Sequence, residues 1–205
     1  MSLGRMARGR LERAVTPFVD ALARVGFTPN RLTLAGLAAT GLATLSYYWG
    51  GFERVGLLLA GLLLAVGSFL DALDGVMARR QGSATPAGAF IDSFVDRVSD
   101  TLISLGYLMS GLVHPLPVLL MLATSMLVSY SRARGEALQV RVGDVGVGER
   151  GVRLLIAIAA TLASYFHTYI LTLSAVLITI VSAVTVVERV LHVLRSLGSP
   201  KSLGP

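Results

Sequence analysis

No cysteine occurs in the 205 residues, and lysine occurs once, at Lys201, against 17 arginines. Without cysteine the chain has no disulfide framework, no thiolate metal site and no cysteine nucleophile. Charge is scarce too: charged residues make up 15% of the chain, where a soluble domain carries about 25%. Hydrophobic residues make up 54% and the mean hydropathy is +0.71. A water-soluble fold of this size would leave too many apolar side chains in water, so a soluble enzyme is excluded. Disorder is excluded with it, because low hydrophobicity is its precondition. The arginine-rich first 30 residues lack the continuous apolar run of a cleavable signal. What remains is one integral membrane domain, too short for two bundles. At a membrane, a formal charge of +6 marks orientation and lipid contact rather than nucleic-acid binding.

Crossing a bilayer takes about 20 mostly apolar residues. Six stretches qualify, 32–49, 55–78, 87–111, 116–137, 152–167 and 170–190, which predicts an all-α, six-transmembrane-helix bundle. An even number of spans puts both termini and the loops near 80 and 145 on one side. That side carries 16 of the 18 Lys and Arg residues, so the positive-inside rule makes it cytoplasmic. Tyr47, Tyr48 and Trp49 then form an aromatic belt at the outer end of the first span. Ahead of that span, Leu11, Val15, Phe18, Leu22 and Val25 recur at helical spacing among arginines, an amphipathic helix lying in the cytoplasmic interface. The expected organisation is this helix over 1–28, the six-helix domain over 29–195 and a cytoplasmic tail over 196–205. Glycines 36, 41, 56, 61 and 67 are expected to permit close helix packing.

Five of the 12 acids, Asp71, Asp74, Asp92, Asp96 and Asp100, fall within 30 residues of predicted membrane helix. Carboxylates in a membrane segment are costly and usually face a functional site. Asp71 and Asp74 share a helix face at i, i+3, and Asp92 and Asp96 share one at i, i+4. Thr85-Pro86 starts the second helix well, threonine as N-cap and proline at the first helical position. The short connection folds the two helices into a hairpin and brings the four carboxylates into one cavity, where they repel one another unless hard divalent cations such as Mg²⁺ or Mn²⁺ neutralise them. Two such ions beside an arginine suit a pyrophosphate. Arg79 can pair with phosphate in a fork, Gly75 and Gly88 let a nucleotide come close, and Asp96, at the edge, can accept the proton of an attacking hydroxyl. Asp100 is read as structural, pairing with Arg97 or capping a polar layer.

The run Asp71-Ala72-Leu73-Asp74-Gly75-Val76-Met77-Ala78-Arg79, followed by Gly88, Asp92 and Asp96, resembles the signature of the CDP-alcohol phosphotransferases, with every fixed position at the family spacing. The resemblance implies a six-helix membrane enzyme, usually dimeric, that moves a phosphatidyl-type group from a CDP-linked lipid to an alcohol and releases CMP. It implies that Asp71, Asp74, Asp92 and Asp96 hold two divalent ions and that Asp96 is also the base. Gly75, Arg79 and Thr85, with the stretch Pro29-Asn30-Arg31-Leu32-Thr33, would contact the cytidine diphosphate. Ser129 to Glu136 and Gly148 to Arg153 are similar to the branch whose acceptor is inositol phosphate. Arg132, Arg134, Arg150, Arg153 and Arg189 would supply the cationic pairing that a phosphorylated acceptor needs. Arg132 departs from the lysine common in bacterial members; it keeps the charge and changes the donor geometry. Glycerol 3-phosphate and serine remain alternative acceptors. A reading from another class, a transporter moving protons or divalent cations through the carboxylates, is disfavoured because such sites sit near the midplane within inverted repeats.

Overall fold

The structure is a computed structural model that describes residues 15–83 and 85–198. Among these the chain is all-helical. Helix α1 covers 15–24 and is followed by α2 Pro29–Gly50, α3 Val55–Arg80, α4 Pro86–Met109, α5 Pro115–Ala137, α6 Arg150–Ala163 and α7 Tyr169–Leu197. The helices from α2 onward follow the six apolar stretches, and the break between the last two falls at residues 164–168. Helices α3, α5 and α7 are by themselves long and apolar enough to cross a membrane. Helix α6 has 14 residues, about 21 Å at 1.5 Å per residue, less than the roughly 30 Å of a bilayer core. Leu11, Arg5, Arg8, Arg10, Arg13, Lys201 and most of the expected tail lie outside the described residues.

The backbone packs as two compact units, Met1–Leu42 with Leu63–Ser99, and Ala43–Leu62 with Asp100–Pro205; α2, α3 and α4 each run through both. In the first unit, α1 lays Val15 and Val19 against Leu32, Leu73, Val76 and Met77, with Leu22 and Ala23 at the margin. The packed face is therefore rotated from the expected stripe. Phe18 is 57% exposed and meets Phe69 edge-on, and Val25 is 76% exposed. Docking onto α2 and α3, rather than a lipid surface alone, selects Val19 in place of Phe18. Arg80, at the end of α3, holds Asp20 of α1 at 3.1 Å.

Helices α2 and α3 approach closely at Gly36 and Gly67. A Cβ on Gly67 would stand 2.9 Å from the Gly36 carbonyl oxygen and 3.0 Å from Oγ1 of Thr40. A backbone atom cannot swing aside, so Gly67→Val is expected to cost about 1–3 kcal/mol through overpacking. Gly41, with nothing within 4 Å of its Cβ position, is not a packing glycine, and Gly41→Ala is the matched control. Thermal unfolding in detergent should show a lowered midpoint for the first and none for the second.

In the second unit α7 packs against α5 and α6. Tyr47 belongs to this interior and not to an aromatic belt: it is fully buried, its hydroxyl hydrogen-bonds Thr161, and its ring lies 5.3 Å from that of Tyr107. The Tyr107 hydroxyl pairs with Ser174 at 3.0 Å. Tyr48 and Trp49 do face outward. A tyrosine can be fully buried when its hydroxyl finds a partner, and Thr161, 114 positions away, provides one. Arg54 donates to the carbonyls of Tyr165 and Phe166 beyond the end of α6.

Candidate functional site

The site in the first unit is built on the turn from α3 to α4. Helix α3 closes with Gly82 at φ +62°, Gly82 N–H on the Arg79 carbonyl and Ser83 N–H on the Ala78 carbonyl. This is a Schellman stop, for which a left-handed residue, usually glycine, is required. Thr85 then accepts the Gly88 N–H at 3.0 Å, so threonine caps α4 and Pro86 follows at its first position. Five residues reverse the chain, and the acids on the two helices meet.

Asp71, Asp74 and Asp92 each offer a carboxylate oxygen, and the three lie within 4.8 Å of one another. Asp74 is 5% exposed and its Oδ2 accepts the hydroxyl of Thr33 on α2. Three hard oxygen donors converging at this spacing form a set suited to a hard divalent cation, and such an ion removes the mutual repulsion of the acids. Asp96 is not in this group. It lies a turn further along α4, and its Oδ2 is 3.1 Å from the Nη2 of Arg97.

Beside the acids lies a cavity of about 660 Å³. Asn30, Thr33, Gly75, Arg79, Thr85 and Gly88, six candidates for contact with the nucleotide, line it together with Pro29, Asp74 and Asp92; Arg31 turns to the Gly26 carbonyl and Leu32 is buried in the core. Gly75 and Gly88 border open space: a Cβ on Gly75 would meet only Nη1 of Arg79, at 3.4 Å, and one on Gly88 only the Thr85 hydroxyl, at 3.2 Å. Any larger side chain would project into the cavity. Thr28, Gln81 and Ser83 also line it; none carries a signal of its own in the sequence, although each lies within two positions of a motif residue. Thr33 has a role not foreseen, holding a carboxylate of the cluster.

The five candidate arginines for an acceptor phosphate lie in the second unit and divide by environment. Arg132 and Arg134 are exposed, the former on Glu136 at 2.9 Å. Arg150 is half-buried, and Arg153 and Arg189 are buried at 5% and 2% exposure. Arg189 donates to the carbonyls of Val128 at 2.7 Å and Val145 at 2.9 Å, which fixes the 138–149 connection against α7. Arg153 donates to the Gly148 carbonyl at 2.7 Å and to Asp100 at 3.1 Å. Asp100 therefore pairs with arginines of α6, Arg150 included. Arg97, the partner expected from its nearness in the chain, pairs with Asp96.

A family model described as CDP-alcohol phosphatidyltransferase matches residues 27–188, a span that takes in every candidate site residue except Arg189. The archaetidylinositol phosphate synthase of Pyrococcus horikoshii is 37% identical over 183 residues, covering 89% of this chain and 92% of the relative. Among solved structures, the phosphatidylinositol phosphate synthase of Mycobacterium tuberculosis with CDP-DAG bound superposes with a TM-score of 0.78 at 32% identity, covering 94% of this chain and 98% of the other. The same enzyme in complex with manganese and citrate gives 0.78 at 31% identity, covering 93% and 92%.

Proposed function

We propose, from the premise that this chain belongs to the CDP-alcohol phosphatidyltransferase family, that it transfers a diacylglycerol- or archaeol-phosphate group from a CDP-linked lipid to inositol 1-phosphate and releases CMP. Membership makes the chain a multi-pass membrane transferase of phospholipid synthesis, and sets aside the transporter reading of the carboxylates. The observation that carries the donor assignment is that six nucleotide-contact candidates and two of the clustered acids line the same cavity of about 660 Å³. The inositol-phosphate acceptor is supported by the activities for which the relatives in P. horikoshii and M. tuberculosis are named and by the arginines of the second unit.

Asp71, Asp74, Asp92 and Asp96 are proposed to hold two divalent ions, Mg²⁺ or Mn²⁺; the clustered oxygens of Asp71, Asp74 and Asp92 and the manganese complex of the M. tuberculosis enzyme support this for the first three, and Asp96 stands one turn further along α4. The ions would supply charge neutralisation at the phosphoryl oxygens. Arg79 pairs with a phosphate of the donor. Asn30, Thr33, Gly75, Thr85 and Gly88 seat the cytidine diphosphate. Asp96 takes the proton from the acceptor hydroxyl, whose oxygen forms a bond to the phosphorus bearing the lipid as the bond to CMP breaks. Arg132, Arg134, Arg150, Arg153 and Arg189 hold the acceptor phosphate. The protein works as a homodimer, with six spans and with its termini and site on the cytoplasmic side of the cell membrane, as the arginine distribution supports.

The test is CMP release from purified protein with CDP-lipid, Mg²⁺ and a panel of alcohols. Inositol 1-phosphate should be the efficient substrate; faster release with glycerol 3-phosphate or serine overturns the acceptor assignment. Arg134→Ala and Arg153→Ala should each raise the KM for inositol phosphate by about tenfold or more, the cost of one charge-assisted hydrogen bond. The KM for the donor should stay within about twofold, since no donor contact is lost.

A further inference from the structure

Asp100 takes no part in the chemistry above, yet it is among the best-held carboxylates in the protein. It is 9% exposed, and each of its oxygens meets an arginine of α6: Oδ2 lies 3.1 Å from the Nη2 of Arg153, and Oδ1 lies 3.7 Å from the Nε of Arg150. Arg153 is held a second time, its Nη1 donating to the Gly148 carbonyl at 2.7 Å. Gly148 is in turn gripped from α7, its N–H donating to the Thr185 hydroxyl at 2.8 Å. One guanidinium is thus fixed through two of its nitrogens, against α4 on one side and against a pinned backbone on the other.

Arg150 and Arg153 are three residues apart on α6, so they share a face and repel each other. A carboxylate that engages both holds two like charges side by side and sets the direction of each. Guanidinium groups so arranged meet the geometric demand of a phosphate, which is bound well only by donors already aimed. We propose that Asp100 is the positioning residue of the acceptor-phosphate subsite, fixing Arg150 and Arg153 for a phosphomonoester on the acceptor. This rests on the assignment of those arginines to the acceptor.

Asp100→Asn keeps the shape and removes the charge. It should raise the KM for inositol phosphate by about tenfold, the loss of one charge-assisted contact, with the donor KM and the kcat at saturating acceptor within about twofold. Asp100→Glu should recover part of the affinity, because a space of about 20 Å³ bordered by Asp100, Ser104, Ser125 and Arg153 gives the longer side chain room. Arg153→Met alone should raise the acceptor KM, and adding Asp100→Asn to it should change that KM by less than about twofold, since residues acting through one another are not additive. A merely structural Asp100 would instead lower the unfolding midpoint, disturb both KM values together and multiply the defect of Arg153→Met. If Arg153→Met leaves the acceptor KM unchanged, the arginine assignment falls. If it raises that KM while Asp100→Asn leaves it unchanged, the role of Asp100 falls and the assignment stands. Should Asp100→Asn not fold, Asp100→Glu decides: an intermediate acceptor KM with an unchanged donor KM supports the role, and two unchanged values overturn it.

Discussion

Asp96→Asn will stop turnover while the protein goes on binding its CDP-lipid. The side chain lies outside the cluster of Asp71, Asp74 and Asp92, and no cavity wall that would seat the nucleotide includes it. On the roles proposed for it, asparagine removes the ability to accept a proton from the acceptor hydroxyl, while its amide oxygen can still face an ion. Loss of a general base lowers the rate by roughly 10²–10⁴-fold, and the shape of the side chain is otherwise preserved. CMP release should fall by that factor with the donor dissociation constant within about twofold of the parent, because kcat and ground-state binding report different interactions. A variant that binds neither Mn²⁺ nor donor would reassign Asp96 from base to ligand alone.

Asp74→Asn will abolish activity by a different route, and the protein will not be less stable for it in the presence of a chelator. Thr33 can still donate to the amide oxygen of asparagine, so the link from α2 to α3 survives. One of three clustered negative charges disappears, and with it both the mutual repulsion and an oxygen ligand. In the parent, Mn²⁺ at 100 times its dissociation constant should stabilise the folded state by about 2.7 kcal/mol, read as a rise in the unfolding midpoint. In Asp74→Asn that rise should be lost or much reduced, and CMP release should be at background at all Mn²⁺ concentrations up to millimolar. A full metal-induced shift in the variant would mean that the cluster is not where the ion binds.

The acidic cluster was legible in the sequence because everything that builds it is local. Asp71 and Asp74 are three apart, Asp92 is 18 positions on, and the Gly82 stop with the Thr85 cap fixes the reversal between them. The six nucleotide-contact candidates were found from the same short stretch and the Pro29–Thr33 entry. What stayed hidden depends on partners far apart in the chain. Tyr47 read as an interfacial aromatic because its neighbours Tyr48 and Trp49 are, and only Thr161, 114 positions away, draws it inside. Asp100 was matched to nearby Arg97 for want of any sign pointing 53 positions ahead to Arg153. On α1 the expected Val15 and Leu22 do pack, and Val19 replaces Phe18 between them, since periodicity locates an apolar stripe but not whether protein or lipid covers each part of it.

The two points at which α2 meets α3 act together. Gly36 and Gly67 bring the backbones into contact, and close to one turn nearer the start of α2, Thr33 ties itself to Asp74. A helix pinned at two places along its length can neither slide nor roll without dragging its neighbour. The entry segment Pro29, Asn30 and Thr33, which lines the cavity beside the acids, is therefore registered to those acids as a fixed jaw.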